Sequence, residues 1–173
     1  MELLFVLPKL RLNSLRWLIA SFCGSLLITL GAMIHIPTLP VGTTLQTFVI
    51  FLLALTLSPR EALGSVLFYL VWATLGLPVL CGRANSLWFM GISSGYLIAF
   101  PFAAYLISYL ARKWNSTMGK IGAIACGQAV IYTLGFLFLI PFIGVKAAFI
   151  GGVAVFIPTA VLKALLAVCI KRS

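Results

Sequence analysis

Carboxylates and imidazoles are scarce in this chain of 173 residues: Glu2 and Glu61 are its acids and His35 its one histidine. General acid–base catalysis needs positioned proton-transfer groups, and a hydrolytic triad needs three partners, so no catalytic site is expected. Proton- or sodium-coupled carriers hold a carboxylate or similar group inside the membrane, and this sequence supplies none there. A phosphate-cradling G-x-x-x-x-G-K-[ST] run is also missing, so the chain has no such loop for binding and hydrolysing ATP. The four cysteines, Cys23, Cys81, Cys126 and Cys169, lack short metal-ligand spacings and mostly fall inside apolar runs. They read as small buried hydrophobes, and neither a metal nor another cofactor is expected.

Charge is scarce as well. Only 8% of the chain is charged while 63% is hydrophobic, against about a quarter charged in soluble proteins. Such a composition cannot cover its apolar surface in water, so lipid is the expected solvent, with the backbone satisfied inside helices. Period-2 alternation is absent, which excludes a β-barrel. The formal charge of +10 is spread between apolar runs rather than gathered in one patch, a topology signal rather than a nucleic-acid footprint.

What is present is a series of long apolar segments. The expected architecture is all-α: a single polytopic membrane domain over 1–173 with six transmembrane helices at about 17–36, 41–57, 59–77, 88–110, 121–140 and 158–172. Helix 1 is read as uncleaved, because no A-x-A pattern follows it, and it stops where Pro37 and Pro40 forbid continuation. Ser58-Pro59-Arg60-Glu61 is a capping box that starts helix 3. The segment 147–157, with Gly151-Gly152, is read as a lid or re-entrant piece ahead of Pro158, which opens helix 6 from its favoured first-turn position. A single helix kinked at Pro158 stays open as the alternative. Nine basic residues (Lys9, Arg11, Arg16, Arg60, Arg112, Lys113, Lys120, Lys171, Arg172) fall on one side of this topology and two (Arg83, Lys146) on the other. The positive-inside rule therefore places both termini in the cytoplasm, and a bacterial inner membrane is the expected location.

This topology collects a polar set at the outer ends of the helices: Thr43, Thr44 and Gln46 at the start of helix 2, Arg83 and Asn85 in the 3–4 loop, and Lys163 in helix 6. Lys163 lies five residues, about 8 Å, below the helix start. A cation beside a helix N-terminus favours an anionic ligand group such as a carboxylate, with a snorkelling lysine as the alternative. Gln46 can bond a ligand amide or a neighbouring helix, and His35 reads as an interfacial histidine. Trp72, Trp88, Tyr96 and Tyr132 are belt or packing aromatics by default. Gly91 to Gly95 is a GxxxG match that reads as close packing, and Ala20 and Gly24, with Ser21 and Ser25, form a flank of helix 1 where another helix can dock.

These residues resemble the BioY family in order and spacing: Leu30-Gly31-Ala32, Ile36-Pro37, Pro40, Thr44-Leu45-Gln46-Thr47, Leu75-Gly76-Leu77-Pro78-Val79, Gly91 with Gly95-Tyr96-Leu97, Ile131-Tyr132 with Gly135, and Pro158 with Leu162-Lys163-Ala164. Family members are the biotin-specific substrate-capture subunits of energy-coupling-factor vitamin transporters. The resemblance implies six helices, a biotin site near the outer face, and helix 1 as the docking surface for a transmembrane coupling subunit served by two ATPases. Family members are also described as working alone. The family's Pro-Gly-Asp-Leu-Leu-Lys becomes Pro158-Thr159-Ala160-Val161-Leu162-Lys163 here, and its glycine-rich 3–4 loop becomes Cys81-Gly82-Arg83-Ala84-Asn85-Ser86. Ala160 removes an acceptor for the ureido N–H groups of biotin, and Asn85, Gln46 or Thr159 is expected to replace it. Residues expected to touch substrate are thus Lys163, Gln46, Asn85, Arg83, Tyr96, Thr43 and Thr159, with Ala20 and Gly24 touching a partner. The alternatives are a carrier for another carboxylate vitamin, a stand-alone facilitator, and, from other classes, a membrane scaffold or a lipid-modifying enzyme.

Overall fold

Apolar runs punctuated by proline, glycine and serine fold into helices whose ends those residues mark. The computed structural model describes residues 3–36 and 41–172, with side chains over 14–35 and 41–171. The stop expected at Pro37 and Pro40 lies outside the described residues, as do Glu2 and the side chains of Lys9, Arg11 and Arg172. In chain order the elements are α1 (Leu3–Met33), β1 (His35–Ile36), β2 (Thr43–Thr44), α2 (Gln46–Thr56), α3 (Pro59–Thr74), α4 (Ser94–Lys113), α5 (Thr117–Ile143), α6 (Val145–Gly152) and α7 (Ile157–Arg172), with single 3-10 turns at Trp88–Met90 and Ala154–Phe156. Among the described residues the protein is all-α apart from the antiparallel hairpin of β1 and β2, which pairs His35 with Thr44 and Ile36 with Thr43, and an isolated bridge between Leu80 and Arg83.

Several boundaries differ from those read off the sequence, each for a local reason. The segment that opens at Val41 becomes helical only at Gln46, because β-branched Thr43 and Thr44 lie in the hairpin and the Leu45 amide donates to the Ile34 carbonyl at 3.0 Å. Gly76, at φ +79°, closes α3 just past Thr74. Its start carries the capping box: the Glu61 amide donates to Ser58 Oγ and the Ser58 amide donates to Glu61 Oε2 at 2.8 Å. At Gly91 the backbone is extended (φ −84°, ψ 166°), so the helix expected from Trp88 begins at Ser94. The stretch 147–157 falls on α6 and the turn that follows. The helix breaks at Val153 (φ −125°, ψ −62°), after Gly151-Gly152, and α7 opens at Ile157 with Pro158 in its first turn. A proline here clashes with the carbonyl one turn back and lacks the N–H that would bond it, which accounts for a break ahead of Pro158 rather than at it.

Among the described residues, four stretches are long and apolar enough to cross a membrane: Ser14–Met33, Ser94–Lys113, Thr117–Ile143 and Val145–Lys171. Large apolar side chains such as Leu18, Leu30, Phe102, Leu137, Val161 and Leu165 are exposed around the outside, the inverse of a water-soluble surface. Small residues set the spacing between helices. Gly24 of α1 lies against Ser65 of α3, and Gly64 of α3 lies against Ser21 of α1, with no room for a Cβ at either glycine. On the other side, Gly127 of α5 packs on Ile107 of α4, and Gly135 packs on the ring of Tyr96.

One end of the bundle is basic. There Arg16 Nε lies 3.4 Å from Glu61 Oε1, Trp17 Nε1 donates to the Arg60 carbonyl at 3.0 Å, and Ser108 Oγ donates to the Leu57 carbonyl at 2.7 Å. The hairpin, the α3–α4 loop and the α6–α7 junction gather at the other end, around a cavity.

Candidate ligand-binding site

The cavity holds about 620 Å³, inside the range of roughly 300–1,000 Å³ typical of small-molecule sites. Its wall takes residues from the hairpin, the start of α2, the α3–α4 loop, the N-terminal half of α4, the middle of α5 and the first two turns of α7. All seven residues expected to touch a ligand, Lys163, Gln46, Asn85, Arg83, Tyr96, Thr43 and Thr159, border it.

They differ in how much hydrogen-bonding capacity they have left. The half-buried Lys163 Nζ donates to the Thr44 carbonyl at 2.6 Å and to Thr47 Oγ1 at 3.1 Å. An ammonium carries three donors, so one remains for the cavity. Among the described residues Glu61 is the only acid, and it is held at the basic end by Ser58 and Arg16. No described carboxylate therefore balances the charge of Lys163.

Gln46 is 5% exposed and works mainly as a joint. Its Nε2 donates to the Tyr69 hydroxyl at 2.7 Å, its Oε1 accepts from Thr44 Oγ1 at 3.1 Å, and Tyr69 in turn donates to the Val79 carbonyl at 3.3 Å. The hairpin, α2, α3 and the following loop are thereby fixed to one another. Tyr96 contributes its ring: the hydroxyl donates to the Gly152 carbonyl at 2.7 Å, tying α4 to α6, while the ring stands against Gly135 and Phe156. Thr159 Oγ1 donates to the Phe156 carbonyl at 2.9 Å. Asn85 Oδ1 accepts from the Leu87 amide at 3.1 Å and shapes the loop. Asn85 and Arg83 are exposed at the mouth, and Thr43 is buried in the hairpin. Beside Arg83, Cys81 adopts φ +54°. Burial pushes its thiol pKa up, and the Arg83 guanidinium offsets part of that rise.

Among the further residues that border the cavity, Thr47, Trp88, Gln128 and Tyr132 are ones that sequence reasoning had not placed there. Trp88 is held by its indole N–H, which donates to Thr74 Oγ1 at 3.0 Å. Gln128 had a detectable signal, as the one amide inside the long apolar run of α5.

The two residues expected to meet a partner helix separate. Gly24 faces inward against α3, so α3 occupies the position reserved for that partner. Ala20 lies at the edge of a shallow surface groove with Leu15, Arg16, Ile19 and Cys23.

An apolar-coated helical bundle with a polar cavity at one end is the build of an integral membrane protein that accommodates a small molecule. The chain belongs to the BioY family, whose profile matches residues 8–173. It is 37% identical over 149 residues to the protein of Pyrococcus horikoshii named probable biotin transporter BioY, covering 84% of this chain and 88% of that one. The biotin transporter BioY of Thermotoga maritima is 34% identical over 122 residues, 70% of this chain and 72% of its own. A crystal structure described as the S-component for biotin from an ECF-type ABC transporter superimposes with a TM-score of 0.82 at 28% identity, over 92% of this chain and 90% of that one.

Proposed function

We propose that this protein is the biotin-capturing S component of an energy-coupling-factor uptake system and not an enzyme. The observation that carries this reading is Lys163: a cation in a cavity of small-molecule size, unbalanced by any described carboxylate, in a chain of the BioY family. Biotin brings the missing anion on its valerate arm, and the remaining N–H of Lys163 donates to it, a charge-assisted bond of the strong kind. The ring system lies among Tyr96, Trp88 and Phe156, and Arg83 and Asn85 stand at the mouth.

The chain crosses a bacterial inner membrane six times with both termini in the cytoplasm. The basic end with Arg16, Arg60 and Arg112 then faces inward and the cavity outward. The 11 residues of α2 span only about 16 Å, so the extended residues of the hairpin complete that crossing. Concentrative uptake draws on separate ATPases through a transmembrane coupling subunit, which meets the exposed face of α1 at the groove beside Ala20.

The test is to purify the protein from cells grown on biotin, wash it, denature it and identify the released small molecule by mass. One biotin per chain is expected. Release of a different carboxylate, or no biotin binding on titration, would refute the assignment.

A further inference from the structure

Two polar side chains at the cavity keep hydrogen-bonding capacity unused. Gln128 and Tyr132 stand one turn apart on the face of α5 that borders it. Gln128 Oε1 and the Tyr132 hydroxyl are the buried side-chain polar atoms that make no hydrogen bond among the described residues. Buried polar atoms are almost always paired, because an unmet one is costly, so two unmet atoms beside a cavity mark a place where a ligand completes the pairing.

The remaining polar groups narrow what the couple meets. Lys163 and Arg83 are cations with donors only, so neither can accept a hydrogen bond. Gln46 Oε1 already accepts from Thr44, and Asn85 Oδ1 already accepts from the Leu87 amide. Thr159 donates to Phe156, and Tyr96 donates to Gly152. An amide oxygen beside a hydroxyl offers an acceptor next to a donor, the complement of an N–H next to a C=O.

We infer that Gln128 and Tyr132 form the subsite for the cyclic urea of the ligand, with Gln128 Oε1 accepting from a ring N–H and the Tyr132 hydroxyl donating to the urea oxygen. This rests on biotin being the ligand. It divides recognition between two helices: α7 supplies the cation for the carboxylate, and α5 supplies the neutral pair for the ring. The acceptor lost at Ala160 is thereby replaced from α5 rather than from Asn85, Gln46 or Thr159.

Titration of the purified wild type, Gln128→Met and Tyr132→Phe with biotin and three analogues tests this. The analogues are biotin methylated on both ring nitrogens, biotin with its urea oxygen replaced by sulfur, and biotin amide, whose carboxylate is masked. Gln128→Met should weaken biotin by about 5- to 100-fold, the range for removing one partner of a buried hydrogen bond. It should weaken the dimethylated analogue far less, since that ligand has no N–H to lose, and the amide as much as biotin itself. Tyr132→Phe, which deletes a single oxygen and preserves the fold if Gln128→Met does not, should weaken biotin and lose most of its discrimination against the sulfur analogue. Unchanged biotin affinity in both variants would overturn the subsite, as would equal losses for biotin and the dimethylated analogue. Absence of biotin binding by the wild type would overturn the proposed function first, and the subsite with it.

Discussion

Replacing Lys163 by methionine retains most of the side chain's length and removes its charge. Two of the three ammonium donors are engaged by the Thr44 carbonyl and Thr47 Oγ1, so one charge-assisted bond to the ligand is at stake. Such bonds contribute about 1.5–3 kcal/mol, and at 1.4 kcal/mol per decade the loss in biotin affinity should be about 10- to 150-fold. The substitution also leaves the Thr44 carbonyl without its donor, which loosens the hairpin. Biotin amide, with no charge to lose, isolates that second effect and should weaken by a factor of only a few. Isothermal titration of both ligands into wild type, Lys163→Met and Arg83→Gln separates the contributions. Arg83 is exposed at the mouth, so its removal should cost less than tenfold because solvent screens exposed charges. Equal losses for acid and amide at Lys163, combined with a selective loss for the acid at Arg83, would refute the assignment and move the carboxylate to the loop.

Gly24→Leu should drive α1 from α3 by collision with Ser65, lowering the melting temperature in detergent in line with the roughly 1–3 kcal/mol of overpacking; an unchanged melting temperature would mean that Gly24 does not face α3. Ala20→Trp, in the surface groove, should leave the melting temperature and biotin affinity alone and reduce co-purification of a coupling subunit, and undiminished co-purification would clear that groove of the role. Tyr96→Phe removes the donor to the Gly152 carbonyl, so hydrogen exchange over residues 145–157 should accelerate by about 5- to 100-fold; unaltered protection there would show that the tie does not hold α6. Reporter fusions after Arg112 and at the C-terminus should both read cytoplasmic, and an external signal from either would break the six-crossing arrangement.

Local chemistry made some of this legible in the sequence. Ser58-Pro59-Arg60-Glu61 specifies its helix start in four residues, and Lys163 stands out because a lysine within an apolar run is rare. The polar residues at one set of helix ends converge on one cavity because helices that alternate in direction bring every second set of ends together. The hairpin left no mark, since strands of two residues are too short to show a period. The orientation of α1 was not readable either. Its segment 14–33 is apolar on every side, so sequence cannot tell which flank meets α3 and which meets lipid, and Gly24 was assigned outward for that reason. Gln46 and Tyr96 were located at the cavity, but their hydrogen bonds to Tyr69 and Gly152 cross 23 and 56 residues of chain, a separation that no local pattern encodes. Gln128 and Tyr132 were passed over because an amide and a phenol inside a helix look like interhelical packing until the surrounding atoms are known.

The bonds from Lys163 to Thr44 and Thr47 bear on the speed and selectivity of capture. In open water an ammonium is wrapped by solvent that an arriving anion must strip away. Here a carbonyl and a hydroxyl of the protein already stand in for much of that shell, fixed in place by the hairpin and by the first turn of α2. The work of dehydration is done when the chain folds, and the rearrangement left for each binding event is small. A cation solvated in this way discriminates against neutral molecules of the same shape, because these gain nothing from the single donor still free.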